Sequence, residues 1–155
     1  KAFAVDVTVV RRSAGPNTLT PDQWRGRLGD YDWVILAVPA TPETDGMIGA
    51  AELAAMKPTA TLINIARGAV VDQPALVAAL DAKQIAAAFL DVTTPEPLPA
   101  DDPLWSLDNA HITMHLSGRA QDKMFVRAAT RFLENLDRWH QGAAVEPRVD
   151  LTLGY

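Results

Sequence analysis

Three polar residues of unlike chemistry each follow an apolar run in this chain. Arg67 comes after TLINIA (61–66), Glu96 after AAAFLDV (86–92), and His115 after HITM (111–114). Arginine can grip a carboxylate through two parallel hydrogen bonds. Histidine can pass a proton near neutral pH. A carboxylate beside it orients the ring and favours its protonated form. An imidazolium next to a carbonyl suits the reduction of a 2-keto acid, because a hydride reaching carbon needs a proton reaching oxygen. Arg11, Arg12 and Ser13 follow a further run, VTVV (7–10), and Pro39 with the turn ATPETDG follows WVILAV (33–38). Several unlike polar groups converging on one edge are a stronger signal than any one alone.

Something must bring these residues together. The runs VTVV, WVILAV, TLINIA, AAAFLDV and HITMHL (111–116) are near-continuous rather than alternating, as expected for parallel strands covered on both faces. Helical patterns separate them. Thr20 with Pro21 starts one helix and Gly29 can end it. AAELAAM (50–56) is a second, stopped by Pro58. Asp72 is a good N-cap for QPALVAALDAK, with Pro74 in the first turn. A long helix runs from Arg119 to about Gln141. Its Phe125, Ala129, Phe132, Leu136 and Trp139 keep three- and four-residue spacing, which predicts one stripe facing the core. Residues 142–155 read as an irregular tail. Alternating strand and helix means a parallel α/β sheet, whose ligands bind at the carboxyl ends of the strands.

Composition narrows the partners. The 155 residues suffice for one core. A net charge of −5 argues against nucleic acid or an anionic membrane surface. There is no cysteine, hence no disulfide, thiolate nucleophile or cysteine metal site, in keeping with a cytoplasmic protein. No apolar stretch approaches a membrane span, and no signal peptide is visible. Scattered Asp, Glu and His show no metal-ligand spacing, so no metal is expected. The first residue is Lys1, not Met.

Three long segments carry a family resemblance. VPATPETDGMIG, MKPTATLINIARGAVVDQPALVAAL and LDVTTPEPLPADDPLWSLDNAHITMHLSG resemble, in order and spacing, the D-isomer-specific 2-hydroxyacid dehydrogenases. The PEPLPADDPLW form is most similar to the glyoxylate/hydroxypyruvate reductase branch. The resemblance implies that Arg67 binds the substrate carboxylate and polarises the keto group, that His115 is the general acid/base, and that Glu96 is its partner. It places Asp91 near the nicotinamide amide, and Val38, Pro39, Thr44, Ile65, Ala66 and Gly118 along the cofactor cleft. Glu96 stands where the related formate dehydrogenases carry glutamine, which disfavours formate. Where NAD-specific members usually have an acidic residue for the ribose 2′-OH, this chain has Arg11, Arg12 and Ser13. That suits a 2′-phosphate, so NADP(H) is the expected cofactor, with NAD(H) possible. The family also implies a homodimer of the full-length protein acting on a small 2-keto or 2-hydroxy acid.

Two departures stand out. Met114 replaces the family's usual proline before the histidine. No first strand and no GxGxxG turn precede KAFAVD, and the family's catalytic domain is absent. The implied fold is therefore the remainder of a Rossmann-like doubly wound parallel sheet over 1–141, with 142–155 returning to that absent domain. In the order 3-2-1-4-5-6 the first strand is central. VTVV and TLINIA are then expected to lack a neighbour between them, as part of a longer chain.

Plainer roles stay open. Arg67, Arg11 and Arg12 could be solvated strand-end residues, Glu96 one more surface charge, and His115 a hydrogen-bonded structural histidine. His111 and His140 fit no motif and are taken as structural. Asp101 and Asp102 read as turn formers before Pro103 rather than as an acid/base dyad. A second functional class also stands: a module of the same fold that senses dinucleotides without significant turnover.

Overall fold

A computed structural model of the chain describes residues 4–12, 15–118 and 123–151. Its contacts divide into two units, Lys1–Met114 and His115–Tyr155.

The first unit contains a four-stranded parallel sheet. Its strands are β3 (Trp33–Leu36), β4 (Thr61–Asn64), β5 (Ala87–Leu90) and β6 (Ala110–Ile112), in the order β3-β4-β5-β6. The short β1 (Val9–Val10) and β2 (Thr18–Leu19) pair in a separate parallel sheet. All five expected strands are present, each shorter than its apolar run. The NTLT segment supplies an additional one, β2, which its turn-like composition conceals.

Strand order corrects one expectation. TLINIA is not beside a gap: β4 pairs with β3 on one side and β5 on the other, with Leu62 opposite both Val34 and Ala88. The sheet edge falls at WVIL.

Helices α1 (Ala50–Ala55) and α2 (Gln73–Asp81) lie where the sequence predicts them. The Asp72 carboxylate caps α2 by accepting the Ala75 N–H at 3.1 Å. Glu52 reaches back to the Gly49 amide at 3.1 Å at the start of α1. The helix expected from Thr20 is instead a series of turns ending in a 3-10 helix, Arg25–Asp30. Gly26 and Gly29 explain this, since each glycine costs a helix about 1 kcal/mol. The Thr20 amide turns to the Gln23 side chain at 3.0 Å.

The core lies on one face of the sheet. Leu36, Leu62, Ala88 and Leu90 pack with Leu53 of α1 and Leu76 and Leu80 of α2, all buried. Strands covered on both faces are expected, but the other face departs from this. Ile35, Ile63, Phe89 and His111 form one row across the four strands. Ile35 and Phe89 are exposed, as is Trp33. His111 stacks on Phe89 with ring centroids 4.4 Å apart, a structural role for that histidine.

The second unit is built on α3 (Met124–His140). The expected helix start at Arg119 lies outside the described residues. Asn135 holds the following segment by exchanging two hydrogen bonds with the Glu146 backbone, at 2.9 and 3.0 Å. The apolar stripe of α3 does not enter a core: no residue of the helix is buried, and Phe125, Phe132 and Trp139 are exposed. Among the described residues, this unit has no second helix or strand to cover it.

Candidate functional site

The carboxyl end of β4 gives Arg67 its place. Asn64 is buried there at 1% exposure. Its Nδ2 donates to Arg67 O at 3.0 Å, and its Oδ1 accepts the Ala66 N–H at 3.0 Å. This side chain satisfies the backbone groups released as the strand ends, which unpaired burial would make costly. Ile65 is exposed and Ala66 buried within the same turn. The exposed Arg67 guanidinium donates through Nη1 to Ala66 O at 2.6 Å. Among the described residues this is its one hydrogen bond, so most of its donor fork is available to a carboxylate.

Two neighbouring loops brace the Arg67 turn. On one side, the Gly46 N–H donates to Ala69 O at 2.7 Å, Ile48 N–H to Val70 O at 3.1 Å, and Asp72 N–H to Ile48 O at 2.9 Å. Residues 46–48 are thereby fastened to residues 69–72. The preceding part of that loop is closed by Thr44, whose hydroxyl donates to Pro39 O at 2.8 Å and accepts the Thr41 N–H at 2.8 Å. Val38 is half-buried and Pro39 exposed beside it. On the other side, Gly68 meets the loop after β5. A Cβ on Gly68 would lie 2.0 Å from Thr93 O and 2.2 Å from Thr93 C, so only glycine fits.

That second loop carries Asp91 and Glu96. Asp91 is buried at 6% exposure, and the Thr113 hydroxyl donates to its Oδ1. The Asp91 N–H donates to Asn64 O at 3.0 Å, continuing the β4–β5 ladder. Glu96 is exposed, and its Oε1 accepts the Thr93 N–H at 3.1 Å. Asp102 acts as the expected turn former, accepting the Leu104 N–H at 2.9 Å before the 3-10 helix Pro103–Ser106.

Arg11 and Arg12 follow β1 and are exposed. The Arg11 N–H donates to Leu19 O at 3.0 Å. Glu43 sits below its ordinary carboxylate value, chiefly through a hydrogen bond from Thr41 and through its own backbone amide, with the charge of Arg12 adding to them. Ser13 lies outside the described residues.

His115 and Gly118 belong to the second unit, and both are exposed. The strand expected to run through His115 stops at Ile112. The backbone of His115 is left-handed, with φ of 53°.

In the first unit the structure thus joins Arg67, Asp91, Glu96 and the 38–48 loop into one edge. Asn64, Thr113 and Gln73, whose side chain bonds Thr94 and Asp102, belong to it and escape sequence reasoning. Asn64 left a faint signal as the lone polar residue inside an apolar run. Gln73 and Thr113 left none, because their partners lie far along the chain. Among the described residues, no group of Asp, Glu and His could hold a metal, and no helix is long and apolar enough to cross a membrane.

A parallel α/β sheet with its polar groups gathered at the strands' carboxyl ends defines a dinucleotide-binding domain of Rossmann type. A glycine-rich pyrophosphate turn is not among the residues present. Residues 1–117 match the family described as D-isomer specific 2-hydroxyacid dehydrogenase, NAD binding domain. The chain belongs to that family. Glyoxylate/hydroxypyruvate reductase B of Pectobacterium atrosepticum is 45% identical over 102 residues, covering 66% of this chain and 32% of that protein. A D-isomer specific 2-hydroxyacid dehydrogenase from Xanthobacter autotrophicus Py2, solved with NADPH and MES, superimposes with a TM-score of 0.83 at 39% identity, covering 94% of this chain and 47% of its own. An NADPH-dependent glyoxylate/hydroxypyruvate reductase from Sinorhizobium meliloti, solved with NADP and sulfate, gives a TM-score of 0.87 at 26% identity, covering 99% and 51%. The chain spans about half the length of these solved relatives and less of the curated one.

Proposed function

We propose that the full-length protein reduces small 2-keto acids of the glyoxylate or hydroxypyruvate type, with NADP(H) as the preferred cofactor. The observation that carries this reading is the braced Arg67 turn, with most of its guanidinium donors available and the Glu96 loop pressed against Gly68. Arg67 grips the substrate carboxylate at two points and polarises the adjacent carbonyl. His115 delivers a proton to the carbonyl oxygen, and Glu96 favours the imidazolium that carries it. Asp91, Val38, Pro39, Thr44, Ile65, Ala66 and Gly118 line the cofactor side. The dihydronicotinamide, when bound, supplies the hydride. Arg11, Arg12 and Ser13 take the 2′-phosphate. NADP(H) in the two solved relatives supports that preference.

Steady-state reduction of glyoxylate and hydroxypyruvate by the full-length protein tests the reading. The expected result is turnover with kcat/KM for NADPH at least about tenfold above NADH, since one lost charge-assisted contact is worth about 1.5–3 kcal/mol. Equal values or an NADH preference overturn the cofactor assignment. Tight NADPH binding with no turnover over a keto-acid panel replaces the enzyme with a dinucleotide-sensing module.

A further inference from the structure

We propose that Gln73 is the positioning residue for Glu96: its side-chain amide ties both ends of the proline-rich loop to the start of α2. The proposal rests on the role given to Glu96 above. Gln73 Oε1 accepts the Thr94 N–H at 2.9 Å, and Nε2 donates to Asp102 Oδ2 at 3.1 Å. Thr94 and Asp102 bracket Glu96 in the sequence, so a single amide closes the loop that carries the carboxylate.

The chemistry admits one orientation of that amide. A backbone N–H only donates and a carboxylate only accepts, so the oxygen must face Thr94 and the nitrogen Asp102. Both anchors are themselves fixed. Gln73 follows the Asp72 cap, which sets the first turn of α2. Asp102 uses its other oxygen for the Leu104 N–H at 2.9 Å. The third restraint is Gly68, whose Cβ position lies against Thr93 backbone atoms that cannot swing aside. Within the loop, the Thr93 hydroxyl donates to Pro95 O at 3.0 Å and the Thr93 N–H to Glu96 Oε1 at 3.1 Å. Residues 94–97 are exposed and bury little apolar surface. Their placement therefore depends on these polar ties. A small misplacement of a group that supports proton transfer can cost a large factor in rate.

The test uses the full-length protein, with glyoxylate and NADPH as probes. Gln73→Ala should speed exchange of the Thr94 amide about tenfold, because its acceptor is gone. It should lower kcat about 5–20-fold with KM for glyoxylate changed less than about threefold. It should also move the alkaline limb of the kcat/KM profile to lower pH. Glu96→Gln should move it the same way, because an imidazolium without its carboxylate loses its proton sooner. The exchange Gln73→Glu with Asp102→Asn reverses donor and acceptor while keeping acceptors for the Thr94 and Leu104 amides. It should restore all readouts to within about threefold. Gln73→Glu alone sets two carboxylates against each other and should not. That comparison decides the matter if Gln73→Ala does not fold. Unchanged exchange at Thr94, an unmoved profile in Gln73→Ala, or no restoration by the paired exchange overturns the proposal. An unmoved profile in Glu96→Gln itself instead overturns the role of Glu96, and the positioning claim falls with it.

Discussion

His115 holds a backbone conformation that favours glycine. Histidine is among the residues that tolerate it best, but the position still costs about 1–3 kcal/mol. We expect His115→Gly to be at least as stable as His115→Ala, by thermal midpoint, with both losing about 10²–10⁴-fold in kcat. Normal turnover in either variant would remove His115 from the reaction. Arg67→Lys should raise KM for the keto acid about tenfold or more, since a point charge replaces a two-point fork. An unchanged KM would return Arg67 to a solvated strand end. At this scale the sequence located residues that follow an apolar run, placing Arg67 after β4 and Glu96 in the loop after β5. It was silent on Gln73, because nothing local marks a side chain whose partners are Thr94 and Asp102.

At the scale of elements, the carboxyl end of β4 depends on Asn64. Asn64→Leu keeps the branched heavy-atom shape but leaves the Ala66 N–H without its partner and takes one of two donors from the Arg67 C=O, which keeps the Val70 N–H. A loss of about 1–3 kcal/mol in urea unfolding is expected from the orphaned amide. A loss below about 1 kcal/mol would mean that the turn finds other partners. The start of α1 is tied by charge. Burial pushes the Glu52 carboxyl up, but the Arg25 side chain and the Gly49 amide outweigh it and leave the group below its ordinary value. A carboxyl held lower in the folded state contributes stability above its unfolded pKa and loses it as pH falls through the folded value. Glu52→Gln should therefore lower the thermal midpoint by about 1–3 °C at pH 7 and by less near pH 3. An equal loss at both pH values would show that charge is not the cause. Strands were legible because parallel strands read as apolar runs. The first helix was misread because Thr20 and Pro21 signal a start that Gly26 and Gly29 then prevent from propagating.

For the whole molecule, two apolar surfaces stand out. One is the open sheet face with Trp33, Ile35 and Phe89, and the other is the α3 stripe with Phe125, Phe132 and Trp139. Periodicity identified the stripe correctly as a stripe. It could not say that, among the described residues, the 115–155 unit has no second helix or strand to lay against it. Expressed as these 155 residues, the chain should bind a hydrophobic dye and self-associate, and Phe125→Lys with Phe132→Lys should reduce both. A monodisperse chain without dye binding would contradict this. The full-length protein should behave as a homodimer in light scattering, and a monomer mass would overturn that expectation.

The order of the large sheet also follows the order of the chain. Each of β4, β5 and β6 pairs with the strand made just before it. A ribosome extruding this segment releases each of β4, β5 and β6 after a partner already exists. The sheet can thus grow rung by rung during synthesis, each new strand adding at the edge left by the one before it. Nascent-chain force measurements should show pulling events as β4, β5 and β6 leave the exit tunnel in turn.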